Sequence, residues 1–229
     1  MDPHSESISR LKVFLENPSK ALWTLAIPIM FGMGIQTLYN LVDMIFIGKL
    51  GGQAITGIAF NMPLFFLVLG LTMGLGTGVT ASIARFIGQE NKKQADNSAE
   101  HAVFMAAIIS VFLSLIGLMF GKTTLTFFGA KGEILNLGWE YLRVMCIGMP
   151  FMIFSGFFRS ILAGEGDMKF PMMIAGLGTI LNIILDPIFI FELESYGGFG
   201  FGLGIAGAAM ATVISQVIVF FVFIYMLFF

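Results

Sequence analysis

A bundle of six membrane-crossing helices is the fold class this sequence predicts, and three observations carry it. Of 229 residues, 57% are hydrophobic and only 11% are charged, with a mean hydropathy of +0.92, far from the balance of a soluble domain. The charges collect in short clusters between long apolar runs. Crossing the hydrocarbon takes about 20 mostly apolar helical residues, and six runs meet that length.

The first twenty residues carry Asp2, Glu6, Arg10, Lys12, Glu16 and Lys20 among few apolar positions. They lack the apolar centre of a cleaved leader and read as a cytoplasmic tail, with a short interfacial helix through Leu11, Phe14 and Leu15. The transmembrane segments are expected near 21–48, 54–87, 95–120, 134–162, 170–191 and 203–229, the second being longer than a simple span requires. Breaks fall at KLGGQ, GQENKKQAD, GAKGE, GEGDMK and ELESYGGFG, where glycine, charge and amides cluster as in loops. No soluble domain is expected.

Orientation follows from the basic residues, which cytoplasmic loops retain. Arg10, Lys12, Lys20, Arg85, Lys92, Lys93, Arg159 and Lys169 fall on the N-terminal side of the membrane, and Lys49, Lys122, Lys131 and Arg143 on the other. The N-terminus is therefore expected inside, odd-numbered spans run outward, and the ELESYGGFG loop lies outside.

Most glycines read as packing devices. Gly70, Gly74 and Gly78 recur every four residues on the second span, as do Gly200, Gly204 and Ala208 at the start of the sixth. Small residues at this spacing let helices approach closely. GLGTG continues an apolar helix without the Lys-Ser/Thr of a phosphate loop. A single Cys146 and two isolated histidines, His4 and His101, match no disulfide or zinc spacing.

An aspartate within the apolar run TLYNLVDMIFIGKLGG, Asp43, calls for a different reading. Residues three and four apart share a helix face. On the first span Gly32, Gln36, Tyr39 and Asp43 follow a 4-3-4 spacing, and on the fifth Ala175, Thr179, Asn182 and Asp186 follow the same one. Each stripe ends in a carboxylate, and at 1.5 Å per residue both carboxylates sit about 8–9 Å below the outer helix ends. The same arithmetic places Asn61, Tyr141 and Thr212 about 10–12 Å below the outer ends of the even spans. Thr212 and Asn61 also suit simple interhelical hydrogen bonding, and Tyr141 an interfacial aromatic belt. An ionised carboxylate in hydrocarbon costs several kcal/mol unless it faces a cavity or finds partners, so its default reading is functional. Pro187 and Pro28 free the carbonyls of Ile183 and Thr24, and a free carbonyl beside a carboxylate suits a cation.

The runs YNLVDMIFIGKLGG, RSILAGEGDMKFPM, LNIILDPIFIF and GIAGAAMATVISQ, in this order, resemble the multidrug and toxic compound extrusion (MATE) family over nearly the whole chain. The resemblance implies an all-α membrane protein forming one six-helix lobe of a twelve-helix, two-lobe transporter, with residues 21–229 as the first lobe and the C-terminal lobe missing. It implies a secondary antiporter that exports organic cations or drugs in exchange for protons or sodium. By position, Asp43 is the first-helix carboxylate with Tyr39 beside it, Asn182 and Asp186 are the fifth-helix pair, and Tyr141 is the fourth-helix tyrosine near them. Gln36, Thr179 and Asn61 join these as candidate coupling and substrate-binding residues. Sodium, if it is the coupling ion, is expected at Asp43, Asn182 and Asp186. The family hydroxyl near the start of the sixth helix is lacking between Gly202 and Gly207, with Thr212 one or two turns deeper, which leaves proton and sodium both open.

Two other readings compete. A flippase for lipid-linked oligosaccharides shares the wider architecture and is expected to line its cavity with several basic residues, whereas only Arg143 and Arg159 lie within spans. A non-transporting scaffold would tolerate apolar replacement of both aspartates. An enzyme is not expected, because no histidine or cysteine lies near the polar layer. The expected partners are a small cationic substrate and membrane lipid, with no nucleic acid and no cofactor beyond the coupling ion, in a multi-pass plasma-membrane protein.

Overall fold

The computed structural model describes residues 18–192 and 200–228. Among the described residues seven helices follow one another: α1 (Pro18–Gly48), α2 (Gly52–Ala59), α3 (Met62–Gly88), α4 (Lys92–Phe127), α5 (Gly132–Gly164), α6 (Lys169–Ile190) and α7 (Gly204–Phe228). All except α2 contain a stretch long and apolar enough to cross a membrane. Among the described residues there is no strand, only the single bridge between Glu192 and Phe201. The N-terminal tail and most of the ELESYGGFG loop lie outside the described residues.

The span expected over 54–87 is two helices. Pro63 opens α3, where its fixed φ and missing N–H suit a helix start, so the chain breaks at Phe60 and Asn61. Asn61 is fully buried, and its Nδ2 donates to the carbonyls of Gly57 at 3.0 Å and Gly138 at 3.1 Å, fastening the break to α5. The third span overruns its expected limits, since the polar stretch KKQADNSAEH forms its first turns. Asn91 caps it, accepting from the Gln94 N–H at 3.2 Å. At the start of α6, Asp167 accepts from the N–H groups of Lys169 and Phe170.

Helix α5 is the hub, packing on α2, α3, α4 and α7, while α6 packs on α7 and α1 on α6. Glycine makes these approaches, though not at every expected place. Side chains at Gly70, Gly74, Gly78 and Gly204 would meet nothing within 4 Å, whereas a Cβ at Gly138 would lie 2.9 Å from the Gly57 carbonyl oxygen. The repeat Gly70/Gly74/Gly78 therefore brings no neighbour into close approach among the described residues. A four-residue period fixes a helix face but not whether a neighbour stands there.

Two apolar clusters flank the interior. One joins Ile47, Tyr141, Met145, Ile190 and Ile205 across α1, α5, α6 and α7. In the other, Phe223 packs edge-on to Phe170, with ring centroids 6.3 Å apart, and against Phe158 at 5.9 Å. Large apolar side chains such as Met30, Phe31, Leu67 and Phe112 remain exposed on the outside, as lipid contact requires.

Candidate functional site

The site is assembled where α1, α6 and α7 meet. Helices α1 and α6 run in the same direction. A Cβ at Gly32 would collide with Sδ of Met172, and one at Gly176 would touch Ile35 at 3.8 Å. These contacts pair α1 with α6 along the stretch that leads to Asp43 and Asp186. One turn further outward, Ile47 and Ile190 are both buried in the same apolar cluster. That cluster covers the carboxylates on the outer side.

Asp186 is fully buried and Asn182 is 2% exposed. The amide orientation that satisfies both ends of Asn182 has Nδ2 donating to Asp186 Oδ2 at 2.9 Å, while Oδ1 accepts from Thr212 Oγ1 at 3.3 Å. In the opposite orientation Nδ2 donates to the same Thr212 oxygen. The hydroxyl can thus partner either face of the amide. Asp43 is half-buried, and its Oδ1 is buried with no hydrogen-bond partner among the described residues. A buried, unpartnered carboxylate oxygen is costly unless a proton or cation meets it.

Of the other expected site residues, Thr179 lies one turn inward of Asn182 on α6 and is buried. Tyr141 is buried in the outer apolar cluster, with the Phe65 ring edge-on at 6.0 Å. Asn61 has its Nδ2 engaged by the carbonyls of Gly57 and Gly138, while its Oδ1 is buried with no partner among the described residues. The side chains of Gln36 and Tyr39 lie outside the described residues.

Depth arithmetic placed Thr212 in the polar layer, but it was left out of the expected site as a simple interhelical partner; it is the one α7 side chain hydrogen-bonded to Asn182 among the described residues. A signal was present in ATVISQ, where Thr212, Ser215 and Gln216 share a helix face three and four residues apart.

These features define a helical membrane lobe with a buried ionisable site at its centre. The MatE family model matches residues 28–188, more than half of the chain, and the protein belongs to that family. It is 33% identical over 198 residues to a probable multidrug resistance protein, NorM, of Thermotoga maritima, covering 86% of this chain and 42% of that one. It is 30% identical over 199 residues to an FAD transporter of Shewanella oneidensis, covering 87% and 43%. A solved MOP-superfamily transporter from Pyrococcus furiosus, whose binding pocket is described as having reverse polarity, superposes with a TM-score of 0.85 at 40% identity, over 93% of this chain and 45% of that one. The chain thus spans less than half the length of these relatives, as one lobe of a two-lobe, twelve-helix transporter does.

Proposed function

We propose that this lobe is half of a secondary antiporter that exports organic cations or drugs in exchange for protons or sodium, through rocking of two lobes in the plasma membrane. The N-terminus is then cytoplasmic. The observation that carries the reading is the buried Asp186, joined through Asn182 to Thr212, near Asp43, whose buried Oδ1 has no partner among the described residues.

The donors fit either coupling ion. The orphaned Oδ1 of Asp43, the Asp186 carboxylate, the Asn182 amide oxygen and Thr212 Oγ1 are all oxygen donors, as a hard cation requires. Asp43, Asn182 and Asp186 would hold sodium, which supplies charge neutralisation; a proton neutralises one carboxylate directly. Either way the carboxylates lose negative charge, and with it their attraction for a cationic substrate. Exchange then follows from competition for the same charge.

The test is efflux from proteoliposomes holding the full-length transporter, under an imposed pH or sodium gradient. Loss of gradient-driven efflux in Asp43→Asn and Asp186→Asn, with folding retained, supports the reading. Wild-type efflux in both overturns it.

A further inference from the structure

Two aromatic rings close the junction between the Gly48 end of α1 and the Ile190 end of α6. Phe46 comes from α1, and Phe191 is the residue that follows α6. Their ring centroids are 6.1 Å apart and their planes are inclined at 68°. Both rings are half-buried and pack against the outer apolar cluster of Ile47 and Ile190. Two inclined rings supported in this way form a corner. The ammonium of Lys49 occupies it, 5.7 Å from the Phe46 centroid and 5.6 Å from the Phe191 centroid.

Lys49 is exposed and makes no ion pair among the described residues, so ring faces are what its charge meets. An aromatic face carries partial negative charge and attracts a cation within about 6 Å of its centroid, and aromatic walls are the usual receptors of quaternary ammonium groups. A lysine ammonium is the poorer guest for such a corner, because it is strongly hydrated. A methylated ammonium has fewer N–H groups to hydrate, or none, and gives up less water on entering.

Position ties the corner to the carboxylates. Asp43 and Phe46 are three residues apart on α1 and share a face, with Phe46 about 4.5 Å further along the axis. Asp43 Oδ1 is buried without a partner among the described residues. We propose that Phe46 and Phe191 form an aromatic subsite for organic ammonium ions, of which Lys49 is the resting, tethered occupant. A ligand cation enters by displacing the lysine, whose flexible stem carries the ammonium out into water. Sodium, a hard ion that needs oxygen donors, finds none on these rings. Only the passage of a ligand between Asp43 and the corner rests on the cation-export reading; the subsite itself does not.

The experiment uses the purified full-length transporter in nanodiscs, with para-fluorophenylalanine at position 191 as a fluorine NMR reporter and tetramethylammonium as the probe. Titration is expected to shift the fluorine signal saturably. Lys49→Met, which keeps the stem and removes the charge, should tighten the apparent affinity several-fold, whereas Lys49→Arg should stay near wild type. In the Lys49→Met background, trifluorophenylalanine at 191 keeps the shape of the ring but withdraws charge from its face, and should weaken binding several-fold; Phe46→Leu should do the same. Asp43→Asn should retain a saturable shift, which separates the corner from the carboxylates. No saturable shift in Lys49→Met, an affinity equal to wild type in that variant, or an affinity indifferent to the trifluorinated ring overturns the proposal. Should Phe46→Leu fail to fold, the trifluorinated ring decides alone, since it leaves packing unchanged. Binding is read without a gradient, so loss of the shift with efflux intact overturns the subsite only, and loss of gradient-driven efflux in the wild type overturns the antiport reading only.

Discussion

Asn182 and Thr212, on neighbouring helices α6 and α7, are hydrogen-bonded at 3.3 Å, and the threonine hydroxyl can serve either face of the amide. With Nδ2 turned to Asp186, the arrangement suits an ionised carboxylate. With Oδ1 turned to Asp186, the amide needs a proton or cation between the oxygens, and Nδ2 finds Thr212 instead.

Thr212→Val removes that partner while keeping shape. One end of a buried amide is left unsatisfied, and a loss of stability of about 1–3 kcal/mol is expected. Gradient-driven efflux should fall as well, and Thr212→Ser should restore both. Thermal unfolding and proteoliposome efflux measured side by side check this; a Val variant that matches wild type in both shows that the hydroxyl is idle.

Asp43→Asn and Asp186→Asn should each abolish efflux driven by a pH or sodium gradient, because the amide keeps size but no exchangeable charge. Melting temperature should stay near the wild-type value or rise, since a buried carboxylate is harder to desolvate than an amide. On the proposed mechanism the pair works as a unit, so the double variant should be no worse than either single one.

Gly138→Ala should destabilise by about 1–3 kcal/mol, because its Cβ would lie 2.9 Å from the backbone oxygen of Gly57, with Asn61 Nδ2 at 3.6 Å. Gly74→Ala meets nothing within 4 Å and, in this chain alone, should be neutral or stabilise by up to about 1 kcal/mol through helix propensity. Denaturation of the two variants in detergent compares them directly. Equal losses would mean that Gly74 has a neighbour.

Topology can be read from engineered thiols, with Cys146 as a silent background because it is fully buried. A cysteine at Lys131, between α4 and α5, should react with an impermeant maleimide applied to intact cells. A cysteine at Gln89, between α3 and α4, should react only after permeabilisation. The opposite pattern would invert the proposed orientation.

The sequence by itself determined that the chain is a helical membrane lobe, because apolar runs of bilayer length between charge clusters admit no other solution once backbone groups must be satisfied internally. It also marked both stripes that end in Asp43 and Asp186, since a 4-3-4 spacing fixes a helix face and rise per residue fixes depth. Azimuth was beyond its reach. Asn61 has the right depth yet turns to Gly138, because the break before Pro63 re-aims it. Thr212 had the depth of the layer but no sign of its partner; it meets Asn182 because the packing of α7 on α6 sets that contact. The Gly70/Gly74/Gly78 stripe makes the same point: whether a helix face meets a neighbour or open space depends on how helices distant in sequence rotate and cross. Only the tertiary structure decides that.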